Sequence, residues 1–174
     1  MSIVLHGVAA GKGIAIGHAH LITRGTTEVP QYDIDPDKLE AEVARFDNAI
    51  KATRKELEQL RGAIPENAPT ELGAFISLHL MLLTDVTLSR EPIDILREQK
   101  INAEWALKLQ SDKLAAQFDS IDDDYLRERK QDMLQVVRRI HNNLVGQSNE
   151  INLAGNLFDD TVLIAHDLSP ADTV

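Results

Sequence analysis

The glycines near the amino terminus are the first residues whose spacing suggests chemistry. The stretch from Gly7 to Gly13 reads GVAAGKG, which is close to a phosphate-binding loop. However, the interval from Gly7 to Gly11 is one residue short, and Gly13 stands where a magnesium-binding hydroxyl is needed. The stretch also leads into a predicted strand, whereas a nucleotide loop leads into a helix. We therefore expect a tight turn between strands and no nucleotide site.

Histidines are the next candidates, because imidazole serves as a metal ligand, an acid or a base. His18 and His20 share one face of a predicted strand, but no third ligand lies near them in sequence, so a surface pair is favoured. His79 lies in a nearly continuous apolar helix, where a lone imidazole is costly to bury. Two interpretations stay open for His79: a core histidine bonded to backbone or carboxylate, and a histidine exposed on a docking face.

Acidic residues do not indicate a catalytic site either. The run Asp122-Asp123-Asp124 suits a cation, but its position at a predicted helix start favours capping. No Ser/His/Asp or Cys/His grouping and no carboxylate pair is placed for acid-base work. The sequence thus predicts no catalytic residue, no metal site and no cofactor within this chain.

Charge and composition restrict the class of partner. The chain has 174 residues, 43% of them apolar, and its 18 basic and 28 acidic residues give a net charge of −10. This charge disfavours nucleic acid and anionic lipid and favours a partner with a basic face. Cysteine is absent, which suits a reducing compartment. No apolar run approaches a membrane span and no signal peptide is evident, so we expect a cytoplasmic protein.

The elements that must position a binding surface are mostly helices. The first predicted helix follows Asp35-Pro36-Asp37 and carries one apolar seam with a polar interruption at Thr53. The seam residues are spaced 4, 3, 4, 3, 4, 3, 4: Leu39, Val43, Phe46, Ile50, Thr53, Leu57, Leu60 and Ile64. A last helix repeats the 4, 3, 4 spacing at Met133, Val137, Ile140 and Leu144. We expect these two helices to pack antiparallel.

Between these helices the pattern predicts a broken second helix. Residues 71–83 are apolar on nearly every side, so this helix is buried or covered by a partner. Breaks are expected at Thr84-Asp85 and between Ser89 and Pro92, followed by a short helix over 93–100. Asn102 is expected to cap a longer helix over 103–118.

The ends of the chain have a different character. Residues 3–24 predict a pair of strands, and residues 160–165 predict another strand, followed by a helix start at Ser169-Pro170. The predicted fold is mainly α: an antiparallel four-helix-type bundle inserted into an incomplete α/β domain. The expected domains are residues 1–30, 33–146 and 150–174, with the first and last completing one another. Because the last helix is begun but not built, we expect a piece of a larger protein.

Four segments together resemble one known family. They are Gly7-x-x-Ala10-x-x-Gly13-Ile14-Ala15-x-Gly17-x-Ala19, the run HLMLLTD from His79 to Asp85, the run DDDYLRER from Asp122 to Arg129, and VLIAHDLSP from Val162 to Pro170. In this order they resemble the amino-terminal part of enzyme I of the bacterial sugar phosphotransferase system, the phosphoenolpyruvate-protein phosphotransferases. The resemblance covers essentially the whole chain.

The resemblance implies that different domains have different functions. In that family an α/β domain carries the phosphorylated histidine, and an inserted helical domain binds the small phosphocarrier protein HPr. The histidine follows the Asp-Leu-Ser-Pro segment, so this chain is expected to end before it. A carboxy-terminal barrel binds phosphoenolpyruvate and magnesium and forms a homodimer. The resemblance thus implies an HPr-binding fragment, inactive alone, and the rival interpretation is a non-catalytic helical adaptor derived from the family.

Matched positions give the docking residues that the resemblance implies. They are Glu71, Ala74, His79, Met81, Leu82, Asp85 and Leu88 on the second helix and the turn after it, and Phe118, Tyr125, Leu126 and Arg129 on the later helices. The family often has two acidic residues where this chain has Thr70-Glu71, and acidic residues where it has Val86-Thr87. Electrostatic attraction of HPr is therefore expected to be weaker here.

Overall fold

A computed structural model describes residues 13–22, 29–146 and 161–165. These residues form two compact units, one containing the two described strands and one containing the helices. The predicted glycine turn between strands and the helix start at Ser169-Pro170 lie outside the described residues. The predicted domain boundaries at 30–33 and 146–150 stay predictions.

In the described part of the strand unit, the strands form one parallel pair. Strand β1 (His18–Ile22) pairs with β2 (Thr161–Ala165), and His18 lies opposite Thr161 in this register. Parallel strands cannot be joined by a hairpin, because the connection must carry the chain from the carboxyl end of the first strand back to the opposite end of the sheet, where the second strand begins. The whole helical unit lies between the two strands in sequence, as the insertion hypothesis requires.

The helical unit begins with a 3₁₀ turn over Pro36–Lys38. The α-helices that follow are α1 (Leu39–Ala63), α2 (Thr70–Thr84), α3 (Val86–Ser89), α4 (Glu91–Gln99), α5 (Ala103–Asp119) and α6 (Asp124–Leu144). Helix α1 packs against α2 and α6, and α5 packs against α4 and α6. The predicted mainly α fold is confirmed, including the broken helix after α2.

The core of the helical unit lies along the predicted seam of α1. Val43, Phe46, Thr53 and Leu57 are buried, whereas Ile50 and the other seam residues are only partly buried. Ala49 is also buried, because a straight helix of 3.6 residues per turn drifts away from a strict seven-residue repeat.

Thr53, the polar interruption in this seam, connects α1 to α6. Its hydroxyl donates to the Ala49 carbonyl at 2.9 Å and accepts from Asn143 Nδ2 on α6 at 3.1 Å. A single polar pair at a buried seam position restricts how two helices slide along one another. Thr53 therefore helps to set the register between α1 and α6.

Asn102 is the N-cap residue of α5, as predicted, and its carbonyl accepts from the Ala106 N–H at 3.0 Å. Its side chain makes no capping hydrogen bond, and the backbone N–H of Ala103 donates instead to Glu42 Oε1 on α1 at 2.8 Å. A carboxylate from another helix thus serves as the cap, because it reaches the positive end of the α5 dipole.

Among the described residues, no single helix is long and apolar enough to cross a membrane. Helix α2 and the segment Val86–Gln99 pass that test only as a pair, and this pair is bent by 62°.

Candidate partner-binding surface

Helix α2 has one uncovered face, although its sequence is apolar nearly all round. Ile76, His79 and Leu83 are buried against the rest of the helical unit. The opposite side carries Ala74 and Met81, both exposed, and the Met81 side chain is 63% exposed. Met81 therefore gains little from burial within this chain, and its thioether is available to a partner.

The residues near Met81 on this face have short side chains, so Met81 extends beyond them. Ala74 and Ser77 are short and exposed, and the Ser77 hydroxyl donates to the Gly73 carbonyl of its own helix at 2.8 Å. Ser77 therefore presents little unsatisfied polarity to a partner. A flexible thioether among short side chains adapts to the shape of an apolar pocket on another protein.

Carboxylates lie at both ends of this face. Glu71 is exposed in the first turn of α2, and Asp85 is exposed in the turn after the helix. Asp85 Oδ1 accepts from the Thr87 hydroxyl at 2.7 Å and from the Thr87 N–H at 2.8 Å, so it caps α3. These two hydrogen bonds lower the pKa of Asp85. Asp85 thus carries its charge at neutral pH while it holds the turn.

His79 is not on this surface, so the interpretation as an exposed docking histidine is wrong. Its side chain is fully buried, and its ring centroid lies 4.1 Å from that of Phe75. Neither ring nitrogen has a hydrogen-bond partner within the part of the chain that the structure describes, so the bonded-core interpretation is not supported either. Burial and the nearby Arg139 charge lower the pKa of His79 to about 4. The imidazole is therefore neutral at physiological pH.

Leu88, which the resemblance implies as a docking residue, is not on the surface either. It is 1% exposed and is the buried residue of the short helix α3 that Asp85 caps. Leu82 and Phe118 are partly buried and pack against the core. Met81 and the exposed Val86 are therefore the apolar side chains most available in this region.

The remaining predicted docking residues lie where α5 meets α6. A salt bridge between Asp119 and Lys130, at 2.6 Å, holds the two helices together there. Arg129 is partly buried, and its Nη1 donates to Asp132 at 3.0 Å. Tyr125 and Leu126 are helical, but their side chains lie outside the described part of the structure.

The structure therefore places the predicted docking residues in two groups. Glu71, Ala74, Met81 and Asp85 share the uncovered face of α2 and its end, and His79 and Leu88 lie beneath that surface. Ser77 and Val86 are exposed in the same region and were not predicted. The signal for Ser77 was present in the 4, 3, 4, 3 spacing of short, polar and methionine residues at Thr70, Ala74, Ser77, Met81 and Thr84.

In the described residues, no three His, Asp or Glu side chains lie close enough together to hold a metal ion. The magnesium that the resemblance implies for the parent enzyme is therefore assigned to no residue here, and its place in the parent stays a prediction.

A family model described as "PEP-utilising enzyme, N-terminal" matches residues 6–129. The chain belongs to this family. A phosphoenolpyruvate-protein phosphotransferase of Cupriavidus necator is 42% identical over 99% of this chain, and that of Bacillus subtilis is 34% identical over 97%. This member of the PEP-utilising family spans only 30% and 29% of the length of those two relatives.

Solved structures of the family share the fold. An NMR solution structure of Enzyme I (nEIt) superposes with a TM-score of 0.77 at 32% identity, and the match covers 96% of this chain and 66% of that one. The N-terminal domain of Enzyme 1 - Nitrogen superposes with a TM-score of 0.68 at 25% identity, over 92% of this chain and 64% of that one.

Proposed function

We propose that this chain is the part of a phosphoenolpyruvate-protein phosphotransferase that docks the phosphocarrier HPr. The parent enzyme then transfers phosphoryl from phosphoenolpyruvate to its own histidine and on to HPr, which serves sugar uptake. The observation that supports docking best is the exposed Met81 on the uncovered face of α2, with Glu71 and Asp85 at its ends. The family and the names of the relatives support the choice of partner.

In the proposed surface, apolar and charged side chains affect different rates of binding. Met81 and Val86 supply an apolar centre that excludes water from the contact, and such a centre mainly slows dissociation. The exposed carboxylates Glu71 and Asp85 attract a basic partner, which mainly accelerates association. A small apolar centre with a charged rim is the anatomy of a transient complex, and a carrier that must leave after each transfer requires one.

Titration of labelled HPr from the same organism into the intact chain tests this proposal. Saturable binding is expected, and Met81→Ala should weaken it about tenfold or more at both low and high salt. Ile164→Ala is the matched control, because it removes another exposed apolar side chain from β2 without touching α2. Absence of binding by a demonstrably folded chain would refute the docking function, and equal effects of both variants would refute the assignment to α2.

A further inference from the structure

The sulfur atoms of this chain differ sharply in their access to solvent. The sequence contains no cysteine and three methionines, Met1, Met81 and Met133. Met133 on α6 is 2% exposed and belongs to the core of the helical unit, whereas Met81 on α2 is exposed. Met1 lies outside the described residues. In the part of the chain that the structure describes, Met81 is therefore the thioether that a dissolved oxidant can reach.

The neighbours of Met81 along the exposed face of α2 leave its side chain open to solvent. Ser77 and Thr84, one turn away on either side, are short and exposed. The Thr84 hydroxyl donates to the Met81 carbonyl at 2.7 Å, so this side chain lies back against its own helix. A thioether has no proton to lose before it reacts, so its rate of oxidation depends mainly on access. Met81 is thus placed to react first.

The polar side chains one turn from Met81 are poorly suited to stabilise an oxidised sulfur. A sulfoxide oxygen needs a hydrogen-bond donor, but the Ser77 hydroxyl already donates to the Gly73 carbonyl and the Thr84 hydroxyl to the Met81 carbonyl. The Asp85 carboxylate can only accept. Water must therefore hydrate the sulfoxide in the free chain. A partner that covers Met81 with an apolar surface removes that water without replacing its hydrogen bonds, which is costly.

We propose that Met81 is a site of reversible oxidation by hydrogen peroxide, and that its sulfoxide weakens docking on α2. A sulfur lone pair attacks one peroxide oxygen, the S–O bond forms and the O–O bond breaks. The departing hydroxide takes the proton from the transferred oxygen and leaves as water. The sulfur loses two electrons and the peroxide gains two. The effect on HPr rests on the proposed docking function, whereas the oxidation itself does not.

Reversal requires a methionine sulfoxide reductase and a dithiol. The dithiol supplies two electrons and two protons and becomes a disulfide, and the sulfoxide oxygen leaves as water. Because Met81 lies outside the core, its oxidation leaves the packing of the helical unit intact and its sulfoxide accessible to the reductase. Oxidation of the buried Met133 would instead place a polar group in the core. Only the modification at Met81 therefore combines a change in binding with a folded chain.

Peptide mapping by mass spectrometry tests the site of oxidation. In dilute hydrogen peroxide, Met81 of the folded chain should be oxidised about tenfold or more faster than Met133, with no loss of helical circular dichroism. The same chain unfolded in urea is the control, because both methionines should then react at the same rate. Equal rates in the folded chain, or faster oxidation of Met133, would overturn the assignment to Met81.

Titration of untreated HPr into the oxidised chain, after removal of the peroxide, tests the effect on docking. Affinity should fall about ten- to a hundredfold, and treatment with a methionine sulfoxide reductase should restore it. Met81→Leu is the matched control, because it keeps an apolar side chain and the other two methionines, so its binding should withstand peroxide. Met81→Gln, a polar side chain of similar length, should bind as weakly as the oxidised chain.

The outcomes separate this proposal from the docking function. Undiminished binding by the oxidised chain, an equal loss in peroxide-treated Met81→Leu, or no recovery with the reductase would overturn the reversible effect of Met81 oxidation. Failure of the untreated, folded chain to bind HPr would refute the docking function and with it the effect on HPr. The peptide map decides independently whether Met81 is the site of oxidation.

Discussion

At His79, burial decides the protonation state. The imidazole lies under the exposed face of α2 and packs against the Phe75 ring, which is tilted by 49° to it, and its pKa is lowered to about 4 by burial and by the Arg139 charge. In the unfolded chain the same group titrates near its ordinary pKa of 6.5. Between these two values the unfolded state binds a proton that the folded state does not bind. The stability that depends on a neutral His79 is therefore fully present above about pH 6.5 and is lost as the pH drops towards 4.

This difference predicts a measurable pH dependence. From pH 6.5 down to 4, the free energy of unfolding should fall by about 1.4 kcal/mol per pH unit through His79 alone. His79→Gln, which does not titrate, should lack this contribution, whatever its stability at pH 7. Urea unfolding of both proteins at several pH values measures it. Curves that run parallel from pH 7 to 4 would show that the pKa of His79 is the same in the folded and unfolded states.

Asp85 supports a second prediction at this scale, because its charge and its capping role are separable. Asparagine is as good an N-cap as aspartate, so Asp85→Asn should keep α3 and remove only the charge. Together with Glu71→Gln it should slow association with HPr at low salt and have little effect at high salt, where the charges are screened. The control is Glu98→Gln on α4, another exposed carboxylate. Stopped-flow measurement of the association rate tests this prediction. An equal decrease in the association rate for Glu98→Gln would show a general effect of net charge.

At the scale of the helices, the burial pattern along α1 sets the energetic importance of each seam residue. Leu57 is completely buried and Ile50 only partly buried. We expect Leu57→Ala to cost about 2–5 kcal/mol of unfolding free energy and Ile50→Ala distinctly less, because the latter leaves a shallower cavity. Thermal or chemical unfolding of both variants measures the difference. Equal losses of unfolding free energy would mean that Ile50 is as deeply buried as Leu57.

Much of this architecture could be predicted from the sequence, because it depends on local signals. The seam of α1, the break at Asp85 and the starts of α5 and α6 follow from apolar spacing and from Pro, Asp and Asn. The exposure of α2 could not be predicted in the same way. Whether His79 and Leu88 face a partner depends on which helices cover them, and that is decided by residues distant in sequence. The ion pair between Arg45 and Glu104 escaped prediction for the same reason, since these two residues lie far apart in the chain.

At the scale of the whole molecule, the resemblance implies that the phosphorylated histidine follows the Asp-Leu-Ser-Pro segment, so we predict a chain that docks HPr and is not itself phosphorylated. We expect the purified chain, incubated with labelled phosphoenolpyruvate and magnesium, to acquire no stable label. The full-length enzyme from the same gene should acquire it on a histidine and pass it to HPr. The full-length enzyme, labelled in the same experiment, is the positive control for the purified chain. Stable phosphohistidine on this chain would place the phosphorylated residue within it.

The parallel pair of β1 and β2 has a consequence for the order of folding. Its partners are separated by residues 23–160, and joining the ends of so long a disordered chain is entropically unfavourable. The described pair of strands gains too little from its own contacts to offset that cost. Helices form from local contacts and fold fast. Helices α1 and α6 pack against one another, and Arg45 near the start of α1 donates to the carbonyl of Leu144, the last residue of α6. The strands should therefore meet only after the helical unit has folded, so that a mutation in the core of the helices also delays the sheet.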